Sequence, residues 1–554
     1  MAVAVTMVMF AARVASADVD LRGADLGIAI LDDARLEGAV LDGAVGVNPV
    51  VAGATAVAQA PFATLALPAL VALCATQWWR RRRSAKVALR APERRGSPVV
   101  VVDQGGDGAF RTITQAVRAA TKGTTIRVRP GTYCEAISLA SDVSLVADGP
   151  RGCVVIESSR APAITVTAGS SVVRDMVLRV RAGGASVPAL RVKGGTPVIS
   201  GCDVTSARGD GIEVHGDGAE PVVLDCTVHD CREFGISVCL GAKGTFERCE
   251  VHGNSFSGID VSYGGDPAVR DCTFRHGKEG GILVADQGKG TFERCEIHGN
   301  ALPGIEVMAE GNPTVRDCTF RDGEAWGIVV RSRGKGTFER CEIHGNALPG
   351  IEVRGEGDPA VRDCTFRDAK EESILVIAQG RGTFERCVVH GNAYAGITVS
   401  EGGHPMVRDC TFRGGQGAGI FVHAQGRGTF ERCEALGNGL PGIIVSVGGH
   451  PVVRDCTFRD GMSGGIVVHA QGRGAFERCV AHGNAGDGIQ VWDGGDPVVR
   501  DCTFRDSKQY GAAVAATGQG TITGCTFTGN AKGAWLVEAG ARCTRRVNRP
   551  EAPR

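Results

Sequence analysis

Residues 295–341 read CEIHGNALPGIEVMAEGNPTVRDCTFRDGEAWGIVVRSRGKGTFERC, with cysteine at 295, 318 and 341. The same interval of 23 residues separates fourteen cysteines from Cys226 to Cys525, and Cys202 precedes them by 24. A period of this size marks a solenoid of stacked units. Apolar residues flank each cysteine three before and two after: Phe292 and Ile297, Val315 and Phe320, Phe338 and Ile343. A second pair follows ten and twelve residues on, as Ile305 and Val307, then Ile328 and Val330. Short period-two runs rich in β-branched residues predict strands. Gly-rich turns such as Gly264-Gly265-Asp266-Pro267 separate them, and 81 glycines in 554 residues serve so many turns. The reading is an all-β parallel β-helix with three short strands in each 23-residue coil.

A second period, 46 residues, lies over the first. A coil with Phe before its cysteine has Val, Ile or Ala after it, and the next coil reverses the order. Alternation of this kind fills a narrow core without overpacking. Charges alternate as well. Asp225, Arg248, Asp271, Arg294 and Asp317 precede successive cysteines, with Glu247, Arg270, Glu293 and Arg316 one position earlier. Opposite charges therefore face each other up the stack. Each exposed pair contributes well under ~1 kcal/mol, but the pattern disfavours misstacking. The totals, 61 basic and 61 acidic residues, leave no stripe of one sign, which argues against nucleic acid as a partner.

These coils resemble the right-handed parallel β-helix of the pectate-lyase-like superfamily, in the form of the carbohydrate-binding and sugar-hydrolase repeats and of the β-helix region of F-box proteins. The resemblance covers residues 98–540, roughly nineteen coils and ~90 Å of stack. In that superfamily an Asn ladder often fills an inward turn; here cysteine stands there. The resemblance implies a right-handed coil, with chemistry, where there is any, on the outer face of the strand ten to twelve residues after the cysteine. GDGAFRTITQAV (107–118) and PGTYCE (130–135) resemble the first coil of pectin methylesterases, whose later catalytic Asp, Gln and Arg motifs have no match here.

Ahead of the solenoid, residues 1–17 form an apolar, signal-like N-terminus. In 18–45, Leu21, Leu26, Leu31, Leu36 and Leu41 recur every five residues and resemble a short pentapeptide-repeat segment. Residues 50–79 carry no charge, end in Trp78-Trp79 and are followed by Arg80 to Arg83. They read as a single transmembrane helix, and 80–97 as a basic linker. Positive-inside logic places the β-helix in the cytoplasm; the alternative is secretion. Thr112 and Gln115 form a capping box for a short helix that closes the N-terminal end of the stack, with Ile113, Ala116, Val117 and Ala120 on its apolar face. Residues 541–554 read as a basic tail.

Fifteen of the 21 cysteines share one inward rung and are expected to behave as small buried apolar groups. His252, His298, His344, His390 and His482 recur on every second coil, ~9–10 Å apart, too far for one metal. No metal and no cofactor is expected. Asn254, Asn300, Asn346, Asn392, Asn438, Asn484 and Asn530 are expected to satisfy turn backbone groups. The coils differ most at the outward positions eleven and thirteen after the cysteine. There Glu306, Arg331, Glu352 and Arg354 make a mixed-charge patch and are the catalytic candidates. Phe421, His423, Ile444, Val467, His469 and Trp492 make an apolar and aromatic strip for a sugar ring or a partner surface. Residues 289–307 and 335–353 are identical, which makes Glu306 and Glu352 copies and not a tuned acid and base. The expected function is a membrane-anchored, non-catalytic scaffold displaying a long face to a protein or polysaccharide partner. The alternative is a polysaccharide lyase or glycoside hydrolase. The oligomeric state is left open.

Overall fold

The structure is a computed structural model that describes residues 98–549 apart from Ala182 and Val547. The expected signal-like segment, pentapeptide repeats, transmembrane helix and basic linker all lie outside the described residues. Among the described residues, no helix is long and apolar enough to cross a membrane.

The 23-residue period becomes three strands per coil, and like strands stack in parallel into three sheets of 20, 18 and 18 strands. Sheet 1 takes the residues before each cysteine, as Thr314–Arg316. Sheet 2 takes those just after it, as Thr319–Arg321. Sheet 3 takes those ten to twelve after it, as Ile328–Val330. Register is in step throughout: Val315 lies between Phe292 and Phe338, and Phe320 between Ile297 and Ile343. All of these side chains are at most 1% exposed. From the Cys249 coil to the Cys502 coil each layer thus holds one ring, on sheet 1 or sheet 2 by turns, as the 46-residue period predicts; at the C-terminal end Phe504 and Phe527 stack on sheet 2.

The cysteines sit inward at the corner between sheets 1 and 2, every one from Cys202 to Cys525 on the 23-residue ladder at most 2% exposed. Their thiols are free and donate to backbone carbonyls, as Cys318 Sγ does to Arg316 (3.2 Å) and Phe292 (3.5 Å). In every second coil the cysteine amide also donates to the sulfur of the next coil. The amide of Cys295 donates to Cys318 Sγ at 3.4 Å, and Cys341 to Cys364 likewise. The neighbouring Cys249 sulfur and burial together push the Cys272 thiol well up. The corner is turned by the residue before the cysteine, which adopts a left-handed conformation: Asp317 has φ 53° and Arg340 φ 52°. Non-glycine residues are uncommon there. The arginine's extended side chain pairs back one coil, Arg340 Nε to Asp317 Oδ1 at 2.8 Å.

The corner between sheets 2 and 3 is held by the asparagines. Asn346 Oδ1 accepts from Gly323 N (3.0 Å), and Asn346 Nδ2 donates to the Phe320 carbonyl (3.2 Å). Asn300, Asn438, Asn484 and Asn530 repeat both bonds. These five fill the expected role in turn backbone satisfaction; Asn254 keeps only the bond from Cys231 N, and Asn392 instead accepts from Ser373 Oγ and donates to the Tyr394 carbonyl.

Helix α1, Ile113–Ala119, closes the N-terminal end, with Thr112 as N-cap accepting from Gln115 N. The rest of the cap comes from the first coil: the Glu135 carboxylate accepts from Ile113 N and Thr114 N at 2.9 and 2.8 Å. At the other end sheet 1 extends through Arg542–Arg546, into the stretch read as a basic tail. Its arginines place charge on an edge strand, which disfavours pairing with another chain.

Candidate binding face on the third sheet

The outward row of sheet 3 runs Arg191, Glu213, Ser237, Asp260, Leu283, Glu306, Val329, Glu352, each in register with the next. It continues Leu375, Thr398, Phe421, Ile444, Val467, Gln490. The strand alternation that buries Ile305 and Val307 points the residue between them outward. Outward does not mean open here. The turn residue eight after the cysteine leans over the row in several coils. Thr398 Oγ1 donates to Glu372 (3.4 Å), and Gln490 Nε2 to Asp487 (2.6 Å).

The four catalytic candidates form two in-chain ion pairs. Arg331 Nε meets Glu306 Oε1 at 2.5 Å, and Arg354 Nε meets Glu352 Oε1 at 3.0 Å. Val329 lies between the glutamates, which places them two strands apart, about 10 Å. Glu352 is only 4% exposed; burial raises its pKa, opposed by Arg354 and by the Trp326 indole. Trp326, eight after Cys318, went unnoticed in sequence because the periodic ladders do not include it.

The six residues of the aromatic strip lie along one stretch of sheet 3, where Val467, 6% exposed, is floor and not contact surface. Phe421 and His423 stack at 4.3 Å, and His469 and Trp492 at 4.3 Å with ring planes 8° apart. Ile444 lies between Phe421 and Val467. Burial lowers the pKa of both His423 and His469. Trp492 is 41% exposed. His469 covers one face of its indole; the next coil places Ala515 at the same position, too small to cover the other.

Nearer the N-terminus lies a group that sequence reasoning did not assemble. Glu213 accepts from Arg191 (Nη2, 2.8 Å) and contacts His215 Nδ1 (2.8 Å). Asp260, 6% exposed, accepts from Ser262 Oγ at 2.8 Å, and burial pushes it up to about 6. Asp210 is pushed up to about 7 by burial and then by Glu233, while the amide of Phe234 donates to it. The signal was the departure of this coil from consensus: Asp210 stands eight after Cys202, where Pro303 and Pro349 stand in later coils. Among the described residues, no group of three or more His, Cys, Asp or Glu side chains is arranged to hold a metal ion.

Comparison with known proteins adds the following. The F-box protein dre-1 of Caenorhabditis elegans is 38% identical over 68 residues, 12% of this chain and 7% of that protein. Among solved structures, the bacteriophage Phi29 gene product 12 N-terminal fragment aligns at TM-score 0.39 with 11% identity, covering 78% of this chain and 89% of that one. Pectate lyase Pel9A aligns at TM-score 0.24 with 14% identity, covering 62% and 76%. The PL6 family alginate lyase AlyGC aligns at TM-score 0.25 with 10% identity, covering 82% and 100%. Superpositions this loose say nothing of activity. The family model described as right handed beta helix region matches residues 153–270, 265–408 and 395–549, most of the chain and nearly all of the coils. The chain belongs to the right-handed β-helix family.

Proposed function

We propose that this protein is a non-catalytic scaffold, anchored through residues 50–79, that offers the outer face of sheet 3 to an extended polysaccharide. The observation that carries the reading is the half-stacked Trp492. A 41%-exposed indole, stacked on His469 through one face and followed up the stack by the small Ala515, is a platform for a sugar ring. Asp487 and Gln490 beside it supply hydrogen-bonding groups already oriented by each other. The paired Glu306 and Glu352 support the non-catalytic half of the reading, since each is neutralised by its own arginine. Affinity electrophoresis in gels containing different polysaccharides tests it. Retardation by at least one polysaccharide, lost in Trp492→Ala, is the expected result; equal mobility of the two proteins in every gel contradicts it.

A second reading rests on Asp210 and Asp260. Carboxyls held at about 7 and about 6 are suited to proton transfer near neutral pH. On that reading the chain cleaves a polysaccharide at its N-terminal coils. Release of new chain ends, abolished by Asp260→Asn, would establish it; their absence with every polysaccharide that binds would remove it.

A further inference from the structure

On the outer face of sheet 2 an arginine three after the cysteine reaches back to a glutamate one coil earlier. Arg275 Nε meets Glu250 at 2.8 Å, Arg321 meets Glu296 at 2.8 Å, Arg367 meets Glu342 at 2.7 Å and Arg459 meets Glu434 at 2.6 Å. A second carboxylate often follows in sequence: Arg321 pairs with Asp322 at 2.8 Å, Arg367 with Asp368 at 3.0 Å and Arg459 with Asp460 at 2.8 Å. Arg413 holds the same position in its coil. Val388 stands where its glutamate belongs, and Gly414 where its aspartate belongs. Among the described residues the exposed Arg413 side chain has no hydrogen-bond or ion-pair partner.

The same place is hollow. Gly391, Gly414 and Gly437 follow one another up three coils, and with His390, Arg413 and Leu436 they line an open depression of about 420 Å³. Packing demands Gly391, where a Cβ would meet Asp368 Oδ1 at 2.6 Å, but not the other two: a Cβ built on Gly414 or Gly437 meets nothing within 4 Å. Nor does the backbone demand them, because Asp368 (φ 54°) and Asp460 (φ 56°) adopt the left-handed conformation of Gly414 (φ 60°) at the equivalent position. A guanidinium without either counter-charge and a shallow depression beside it thus coincide, and neither packing nor backbone requires the glycine at 414.

We propose that this hollow is a binding site for the carboxylate of a small organic acid, which takes on Arg413 the place of the missing glutamate and aspartate. The planar guanidinium fork matches a carboxylate in two-point contact. Leu436 offers apolar surface to the ligand's body beside the guanidinium, and the open rim suits a small, partly solvated ligand. A peptide cannot add as a strand, because Val388–His390, Thr411–Arg413 and Glu434–Leu436 are already paired through the stack. The site lies on a different sheet from Trp492 and does not depend on the polysaccharide reading.

Calorimetric titration of the full chain with glutarate and with glucuronate is the test, with inorganic phosphate and a glutamate-rich peptide in parallel. Saturable binding of at least one carboxylate is expected, weakened about tenfold or more in Arg413→Gln and in Val388→Glu/Gly414→Asp. The double variant restores residues that neighbouring coils carry, and a thermal melt at or above that of the parent shows that it folds. Trp492→Ala should leave carboxylate binding unchanged. The proposal is overturned if neither carboxylate binds, if the double variant binds as well as the parent, or if phosphate or the peptide binds more tightly than both carboxylates.

Discussion

At the scale of single residues, the corners carry the most specific chemistry. Asn346, 3% exposed, accepts from the Gly323 amide and donates to the Phe320 carbonyl. Asn346→Ala should cost about 1–3 kcal/mol by leaving the Gly323 amide unpaired, read as a shift of the denaturation midpoint at constant slope. Arg340, at φ 52°, gives a sharper contrast. Arg340→Gly relieves the left-handed backbone and loses only a surface ion pair, so stability should change by less than about 1 kcal/mol. Arg340→Val should lose about 1–3 kcal/mol, because a β-branched residue is strained there. The sequence announced the asparagines by their period and said nothing of the left-handed corners. Asp and Arg are not the residues by which such a conformation is recognised, and only Gly201 and Gly524, at the same position in their coils, gave a hint. Glu135 capping α1 was likewise invisible, since the contact spans more than twenty residues with no local pattern.

At the scale of strands and ladders, the periodic charges set the response to pH. Arg340 holds Asp317 below the usual carboxylate range, and Arg386, Arg432 and Arg478 do the same for Asp363, Asp409 and Asp455. Their stabilisation is present above the ordinary aspartate value near ~3.9 and is lost as pH falls through the lower folded values. His229 acts in the opposite sense. Asp203 first, then Asp230, raise it to about 9. Its contribution is complete below the ordinary value of about 6.5 and disappears as pH rises through about 9. His229→Gln should therefore be destabilising in urea titrations on the acid side of that window and neutral on the alkaline side. The strand ladders were legible because burial imposes period two on each strand and stacking imposes 23 on the chain. The coverage of sheet 3 was not. Alternation tells which way Glu352 and Val467 point, but not that turn residues such as Trp326 and Glu372 lean across the row.

At the scale of the whole molecule, stability is close to a sum over neighbouring coils, and the unit that can be removed is two coils. Deleting 295–340 joins Arg294 to Cys341 and preserves the alternation of ring with aliphatic and of Asp with Arg. Deleting 295–317 joins Arg294 to Cys318 and puts Phe292 and Phe320 in one layer. The longer deletion should melt close to the parent in calorimetry, and the shorter one well below it, from overpacking of the core. Phe320→Ala, which empties half of one layer, should cost about 3–5 kcal/mol.

The central claim, that sheet 3 binds an extended polysaccharide and does not cleave it, is tested most directly by one incubation read twice. The full chain and Trp492→Ala are incubated with a panel of polysaccharides, and bound protein and newly formed chain ends are measured in the same samples. The account predicts a polysaccharide that retains the parent, retains Trp492→Ala about tenfold less, and shows no new chain ends with either protein. New chain ends from the parent, or binding that ignores the loss of the indole, would contradict it.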